Sequence, residues 1–389
     1  MVYLIVFILL FLLLVVTSCL PLNKQSKQIT YMFSFFVLLF FAGFRYETGH
    51  DWINYLEVFR SVPTLGHLWH SYLENAGTEP GFTLLNSIVK TFGGGIQVVY
   101  FVVAFISLYF FYKAIAQFSS NRMLSVLLFF CLAYLFLIFS IIRQGLAVSI
   151  CFFALRFILE RKMWKYFLCV ALAMMFHYTA VIMLPLYFIL NKRIPQQLFY
   201  ILTGLGIALA FFEIVWLSPV LLFLSQVFPN PWLVEKVHLY LTETIIRNIG
   251  VMSFVNAGLL ILFTVYRNRG EKKFKYYNIF LNIFALYLFS NIFLYEVLEL
   301  SLRLSYYFII GFLILPTFFI SLQTRKNNKV LITALFCFLA FYNERSVFLE
   351  SPREIIYNPY QNYLIYRLRG KPSSAEDRLN RFLEFYHHQ

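Results

Sequence analysis

Residues Arg161–Arg193 read RKMWKYFLCVALAMMFHYTAVIMLPLYFILNKR. Basic residues close the run at both ends, Arg161, Lys162 and Lys165 on one side and Lys192 and Arg193 on the other. Lys and Arg gather in the cytoplasmic loops of membrane proteins, so both ends face the same compartment. Only about 25 residues lie between, with His177 near the middle, leaving arms of about 12–13 residues, or ~18–20 Å of helix. The hydrocarbon core is ~30 Å thick, so neither arm crosses it comfortably. The run reads as a short or re-entrant hairpin. Its apex puts His177 in a protein-lined cavity below the outer surface, because broken backbone at that depth must face protein or water.

The rest of the chain agrees. Of 389 residues 61% are apolar and 13% charged, where a soluble domain carries about 25% charged residues, so lipid solvates most of this surface. Met1–Leu22 lacks a basic leader and a small-residue cleavage site, and it reads as the first transmembrane helix. Hydropathy and loop charge together thread an all-α polytopic membrane protein of about twelve segments. Lys24 and Lys27 mark the first inner loop and place the N-terminus outside. The next segment, about 29–44, delivers Arg45–Asp51 to the outer face. A polar excursion over 45–95 follows, with amphipathic pieces at 52–59 and 80–92. Later the chain emerges again at Arg143, and once more at Glu296, Glu299 and Arg303. The apolar, proline-bearing loop 217–247 is expected to lie along the interface.

Residues 1–342 read as one polytopic domain without an internal repeat, and 343–389 as a tail. Within that tail Ile355–Ile365 is suited to dip back into the membrane. Ser373 or Ser374 with Glu376 or Asp377 resembles a capping box, opening an amphipathic helix with Leu379, Phe382 and Leu383 on one face. The net charge of +14 falls mainly in short loops, notably Arg267, Arg269, Lys272, Lys273 and Lys275. That is membrane topology, not a nucleic-acid surface. The five cysteines lie inside apolar runs without C-x-x-C spacing and read as packing.

Three polar constellations interrupt this chain and reach the same face: Arg45-Tyr46-Glu47-Thr48-Gly49-His50-Asp51, Ile142-Arg143-Gln144 and Phe176-His177-Tyr178. A charge at membrane depth costs roughly 2.5–3.5 kcal/mol, so these groups are the candidates for chemistry. Arg143, beside Gln144 and Gly145, either snorkels to headgroups or offers a fork of donors to a buried phosphate. Arg303, followed by Tyr306 on the same segment, invites the same reading, and Arg45 is a third cation able to hold an anion. Asp51 or His50 is placed to accept a hydroxyl proton, with Glu47 beside them; the bland alternative is a solvated ion-pair cluster. His177 is either a core histidine or a catalytic one at a helix break. His67-x-x-His70 lacks further ligands for zinc, Gly93-Gly94-Gly95 lacks the Lys-Ser/Thr of a P-loop, and no metal or cofactor is expected.

The strings Phe44-Arg45-Tyr46, Gly49-His50-Asp51, Asn54-Tyr55, Glu79-Pro80-Gly81-Phe82, Arg143-Gln144-Gly145, Phe176-His177-Tyr178, Arg303-Leu304-Ser305-Tyr306 and Asn358-Pro359-Tyr360 occur in this order. Over roughly 29–362 they resemble the EpsG family of Wzy-like polysaccharide polymerases. His50 departs from the small or threonine-like residue expected there, and Tyr178 from serine or lysine. The resemblance implies an enzyme at the outer face of the bacterial inner membrane. It would join undecaprenyl-diphosphate-linked oligosaccharide repeats into O-antigen, capsule or exopolysaccharide, alongside a flippase and a chain-length regulator. Arg143, Arg303 and Arg45 would then face the diphosphate, Asp51, His177 or His50 would serve as base, and Glu47, Gln144, Glu79, Tyr306 and Tyr360 would support them. An O-antigen ligase or related glycosyltransferase, or a flippase of lipid-linked sugars, remains an alternative.

Overall fold

A computed structural model describes residues 2–68, 78–228, 230, 234–235, 237–238, 241, 250–345, 352–370, 373–378 and 380–381. The described secondary structure is helical, with one isolated antiparallel bridge between Arg45 and Asn362. Among the described residues five helices are long and apolar enough to cross a membrane, or up to seven if two sharply bent pairs each count as one span. Hydropathy alone expects about twelve segments. Five further apolar helices, among them Met163–Met174, Gln196–Phe211 and Tyr277–Phe293, are only 10–17 residues long and fall short of that length.

The chain divides into two compact units, Met1–Leu184 with Thr324–Gln389, and Pro185–Gln323. In the first unit the segment Arg122–Ser140 is 89% buried whereas Val2–Cys19 is 22% buried, so the former is the hub and the latter a lipid-facing rim. The hub starts as an α-helix capped by Asn121, whose side chain accepts from the Leu124 amide at 3.1 Å. It widens into a π-helix over Phe130–Ser140, and the chain then doubles back as helix Ile142–Ala154. Gly145 makes that return possible. A Cβ there would lie 1.9 Å from the Leu137 carbonyl oxygen, so only glycine admits the π-helix backbone.

The amphipathic pieces of the 45–95 excursion are helices Trp52–Ser61 and Pro80–Thr91. In the second unit Tyr277–Phe293 packs against Gln196–Phe211, Val251–Val265, Leu298–Phe308 and Ile310–Leu322. The expected loop from 217 begins instead as helix Leu217–Val227. Pro219 fits its first turn, where a missing N–H costs nothing. The buried Glu296 carboxylate caps that turn, accepting from the amides of Trp216 (2.8 Å), Leu217 (2.7 Å) and Ser218 (2.9 Å) and from the Ser218 hydroxyl (2.8 Å). Burial pushes the Glu296 carboxyl up, but these donors outweigh it and leave it below the ordinary carboxylate value. Most of 229–249 lies outside the described residues.

Residues 352–378 belong to the first unit. Tyr3 donates to the Tyr357 carbonyl at 2.7 Å, and Tyr360 to the Phe41 carbonyl at 2.9 Å. A helical turn starts at 375, where the Ser373 hydroxyl accepts from the Ala375 amide at 3.1 Å. Leu379, Phe382 and Leu383, expected on one face of that helix, lie outside the described residues, as does His70.

Candidate functional site

Glu79 sits immediately before helix Pro80–Thr91, and Pro80 suits the first helical position. The helix start is docked onto the broken end of Met163–Met174: the Gly81 amide donates to the Met175 carbonyl at 2.8 Å. A Cβ at Gly81 would stand 2.8 Å from that same oxygen, so glycine is what allows the approach. Two residues beyond Met175 the backbone of His177 is extended, with φ −159° and ψ 118°, before a tighter turn begins at Tyr178. The break is therefore real, and Glu79 is delivered to it.

The Glu79 carboxylate joins two of the sequence's polar constellations. Its Oε1 meets His177 Nδ1 at 2.8 Å, and its Oε2 accepts from Arg143 Nη1. A carboxylate only accepts, so Nδ1 carries a proton, and in the neutral ring Nε2 is the acceptor nitrogen. Side-chain exposure is 6% for Glu79, 10% for His177 and 30% for Arg143, so the cluster opens through Arg143. Burial pushes the Glu79 carboxyl up. The bond from His177 and the charge of Arg143 outweigh it, and the group ends below the usual carboxylate value. Gln144 is buried on the same turn as Arg143.

Tyr55 joins this cluster. Its ring lies 5.8 Å from the Arg143 guanidinium and 5.7 Å from the Phe82 ring, and its phenol interacts electrostatically with Asp51, Arg143 and Arg45. Burial pushes that phenol above its ordinary value. Sequence reasoning assigned Tyr55 no role. The spacing was visible, since Asp51 and Tyr55 are four apart and share one face of a helix.

His50 and Asp51 form the pair Nδ1–Oδ1 at 3.1 Å, with His50 58% and Asp51 27% exposed in their side chains. The His50 amide donates to Ser140 Oγ at 3.1 Å, which pins this loop to the end of the π-helix. Arg45 is buried, 1% exposed. Its guanidinium covers the Tyr100 ring at 4.3 Å and the Phe139 ring at 5.3 Å. Nη1 donates to the Ala42 carbonyl at 3.1 Å, while Nε and Nη2 find no hydrogen-bond acceptor among the described residues. Burial draws this guanidinium below its ordinary value, with Tyr100, Tyr134, Tyr55 and Tyr360 opposing. Glu47 ties down the tail: its carboxylate accepts from the Ser373 hydroxyl and its carbonyl from Arg378. Tyr360 stands beside Phe41, with ring centroids 4.6 Å apart. Arg303 and Tyr306 lie on helix Leu298–Phe308 of the second unit, where Arg303 pairs with Glu299 at 2.5 Å and Tyr306 is buried.

A helical, multi-pass membrane protein with a buried, charged histidine cluster is the class that this fold and site define. The chain belongs to the EpsG family, whose sequence model matches residues 28–363. No curated protein and no solved structure matches it.

Proposed function

We propose that the protein is a glycosyltransferase of the polysaccharide-polymerase type. It would extend an undecaprenyl-diphosphate-linked polymer by lipid-linked repeat units at the outer face of the bacterial inner membrane. The observation that supports this best is the Arg143–Glu79–His177 cluster, a cation and an oriented imidazole sharing one buried carboxylate.

His177 Nε2 takes the proton of the acceptor sugar hydroxyl. That oxygen attacks the anomeric carbon of the donor, the bond from this carbon to the diphosphate oxygen breaks, and the lipid diphosphate departs with the electron pair. Glu79 holds His177 in the required tautomer and stabilises the imidazolium that forms, as a buried carboxylate does for a catalytic histidine. Arg143, fixed by Glu79 at the open side of the cluster, meets the developing negative charge as a preorganised cation. Asp51, with His50, borders the cluster through Tyr55 and is the second candidate base. A flippase supplying the repeat units and a chain-length regulator are the expected partners.

Incubating the purified protein with synthetic undecaprenyl-diphosphate repeats tests this. Wild type should give a ladder of polymers, and Arg143→Ala and His177→Ala should leave single units. Single units from a folded, substrate-binding wild type would reject polymerisation. Turnover lost in chelator and restored by Mg²⁺ or Mn²⁺ would reject arginine as the agent of charge stabilisation.

A further inference from the structure

A groove of about 680 Å³ runs between the first two helices and the segment 360–369. Its walls are Val2 and Val6 of helix Val2–Cys19 and Phe33, Phe36 and Phe40 of helix Lys24–Gly43. Four of these are substantially exposed: Val2 37%, Phe33 46%, Phe36 65% and Phe40 46%. One end is polar, formed by Asn362, Tyr366 and Arg369. Arg369 is exposed and makes no ion pair among the described residues. Its helix, Tyr363–Arg369, turns Leu364 (42% exposed) and Leu368 (86%) outward, as a helix lying on a membrane surface would.

The dimensions suit one leaflet. Phe33 to Phe41 spans ~12 Å of helix, against ~15 Å for half the hydrocarbon core. The polar end lies where helix Lys24–Gly43 ends, beside the loop that carries Arg45 and Asp51. Phe41 and Tyr360, which line the groove, pack on Phe139, and Phe139 is a wall of the Arg45 cage. An anion at the mouth would meet Arg369 directly, while Arg45 stays closed off behind a layer of rings.

We propose that this groove holds the head-proximal isoprene units of a polyprenyl phosphate, with the phosphate on Arg369. The site shares no residue with the Arg143–Glu79–His177 cluster, and so is a second lipid seat beside the one where the leaving diphosphate is released. A transfer between two lipid-linked sugars needs two such seats, and only one diphosphate leaves. The diphosphate of the other substrate stays attached, separated from the attacking hydroxyl by the length of its own repeat unit. The aromatic, irregular wall suits a branched, methyl-bearing chain better than a straight acyl chain. The identity of the lipid rests on the function proposed above; the groove and its cation do not.

Photolabelling with a diazirine-bearing polyprenyl monophosphate tests the seat without any sugar transfer, in nanodiscs of phosphatidylcholine. Label should fall on peptides of 2–6, 33–41 and 360–369. Val37→Trp, which fills the groove, should cut labelling about tenfold, as for a lost binding term of ~1.4 kcal/mol. Arg369→Gln, on the surface and safe for folding, should cut it about fivefold. Ile29→Trp, on the same helix but outside the groove, should label like wild type. Labelling that survives both groove variants, or that an equal amount of phosphatidylglycerol displaces, overturns the proposal. Success here with no polymer ladder would reject the polymerase reading alone.

Discussion

The Glu79 carboxylate and the His177 imidazole, 98 residues apart, meet at 2.8 Å through Nδ1 at the break after helix Met163–Met174. The remaining carboxylate oxygen holds Arg143, so one acid orients the candidate base and neutralises the candidate phosphate ligand.

Glu79→Gln keeps the shape and removes the charge. An amide in this place can offer its NH₂ to Nδ1 and reverse the tautomer. Turnover is expected to fall by about 10²–10⁴-fold, the range seen when a histidine loses its orienting carboxylate. Binding of the lipid substrate should change much less. Steady-state kinetics on synthetic repeats reads both, and a variant with wild-type turnover would remove Glu79 from the chemistry.

The depressed Glu79 carboxyl has a consequence for stability. It binds its proton more readily in the unfolded chain, so its contribution is complete above the unfolded value of ~4.3 and is lost as pH falls through the lower folded value. Melting in detergent should be insensitive to this group from about pH 8 to 5 and should decline below about pH 4. Glu79→Gln should show a shallower acid limb. Parallel limbs in the two proteins would assign the acid sensitivity elsewhere.

Gly145→Ala tests the packing that aims Arg143. The added methyl meets the Leu137 carbonyl at 1.9 Å, and backbone on both sides leaves little room to give. A loss of about 1–3 kcal/mol or more is expected, with a lower melting temperature and lower expression. An unchanged melting temperature would mean that the π-helix yields easily.

Arg45 is expected to act on the fold and not on phosphate affinity. Arg45→Met gives up a cation–π contact of about 2 kcal/mol and relieves the burial of a charge, so its stability should stay within about 2 kcal/mol of wild type. Arg45→Ala should cost about 2–5 kcal/mol, because it adds a cavity among the rings. Denaturant titration separates the two. A Met variant that is stable but has lost lipid-diphosphate affinity would restore Arg45 to the substrate site.

Arg303 and Glu299 are each about one-third exposed, and such a pair contributes little to folding, about 0.3–0.5 kcal/mol. Loss of this pair in Arg303→Ala should therefore shift the melting temperature little. A large loss of polymer from that stable variant is the outcome expected if Arg303 meets substrate; full activity would remove it from the candidate set.

By itself the sequence determined the membrane class, the basic loops between apolar runs and the places where charge interrupts those runs. Those properties are local: composition over one window decides whether lipid or water solvates it. The break at His177 was legible for the same reason, since too few residues separate two basic flanks. Tertiary structure alone decided which groups meet. Glu79 reads as a supporting residue until Gly81 docks its helix on Met175 and brings the carboxylate to His177 and Arg143. Arg45 and Arg143 look equivalent as strings, yet ring packing closes over the first and leaves the second partly open. Glu47, two residues further on, is committed to the C-terminal segment. Helix lengths were hidden too, because hydropathy counts apolar runs while caps such as Glu296, which reaches the Leu217 amide from 79 residues away, decide where a helix starts. Such contacts join residues from distant parts of the chain, and no local window contains both partners.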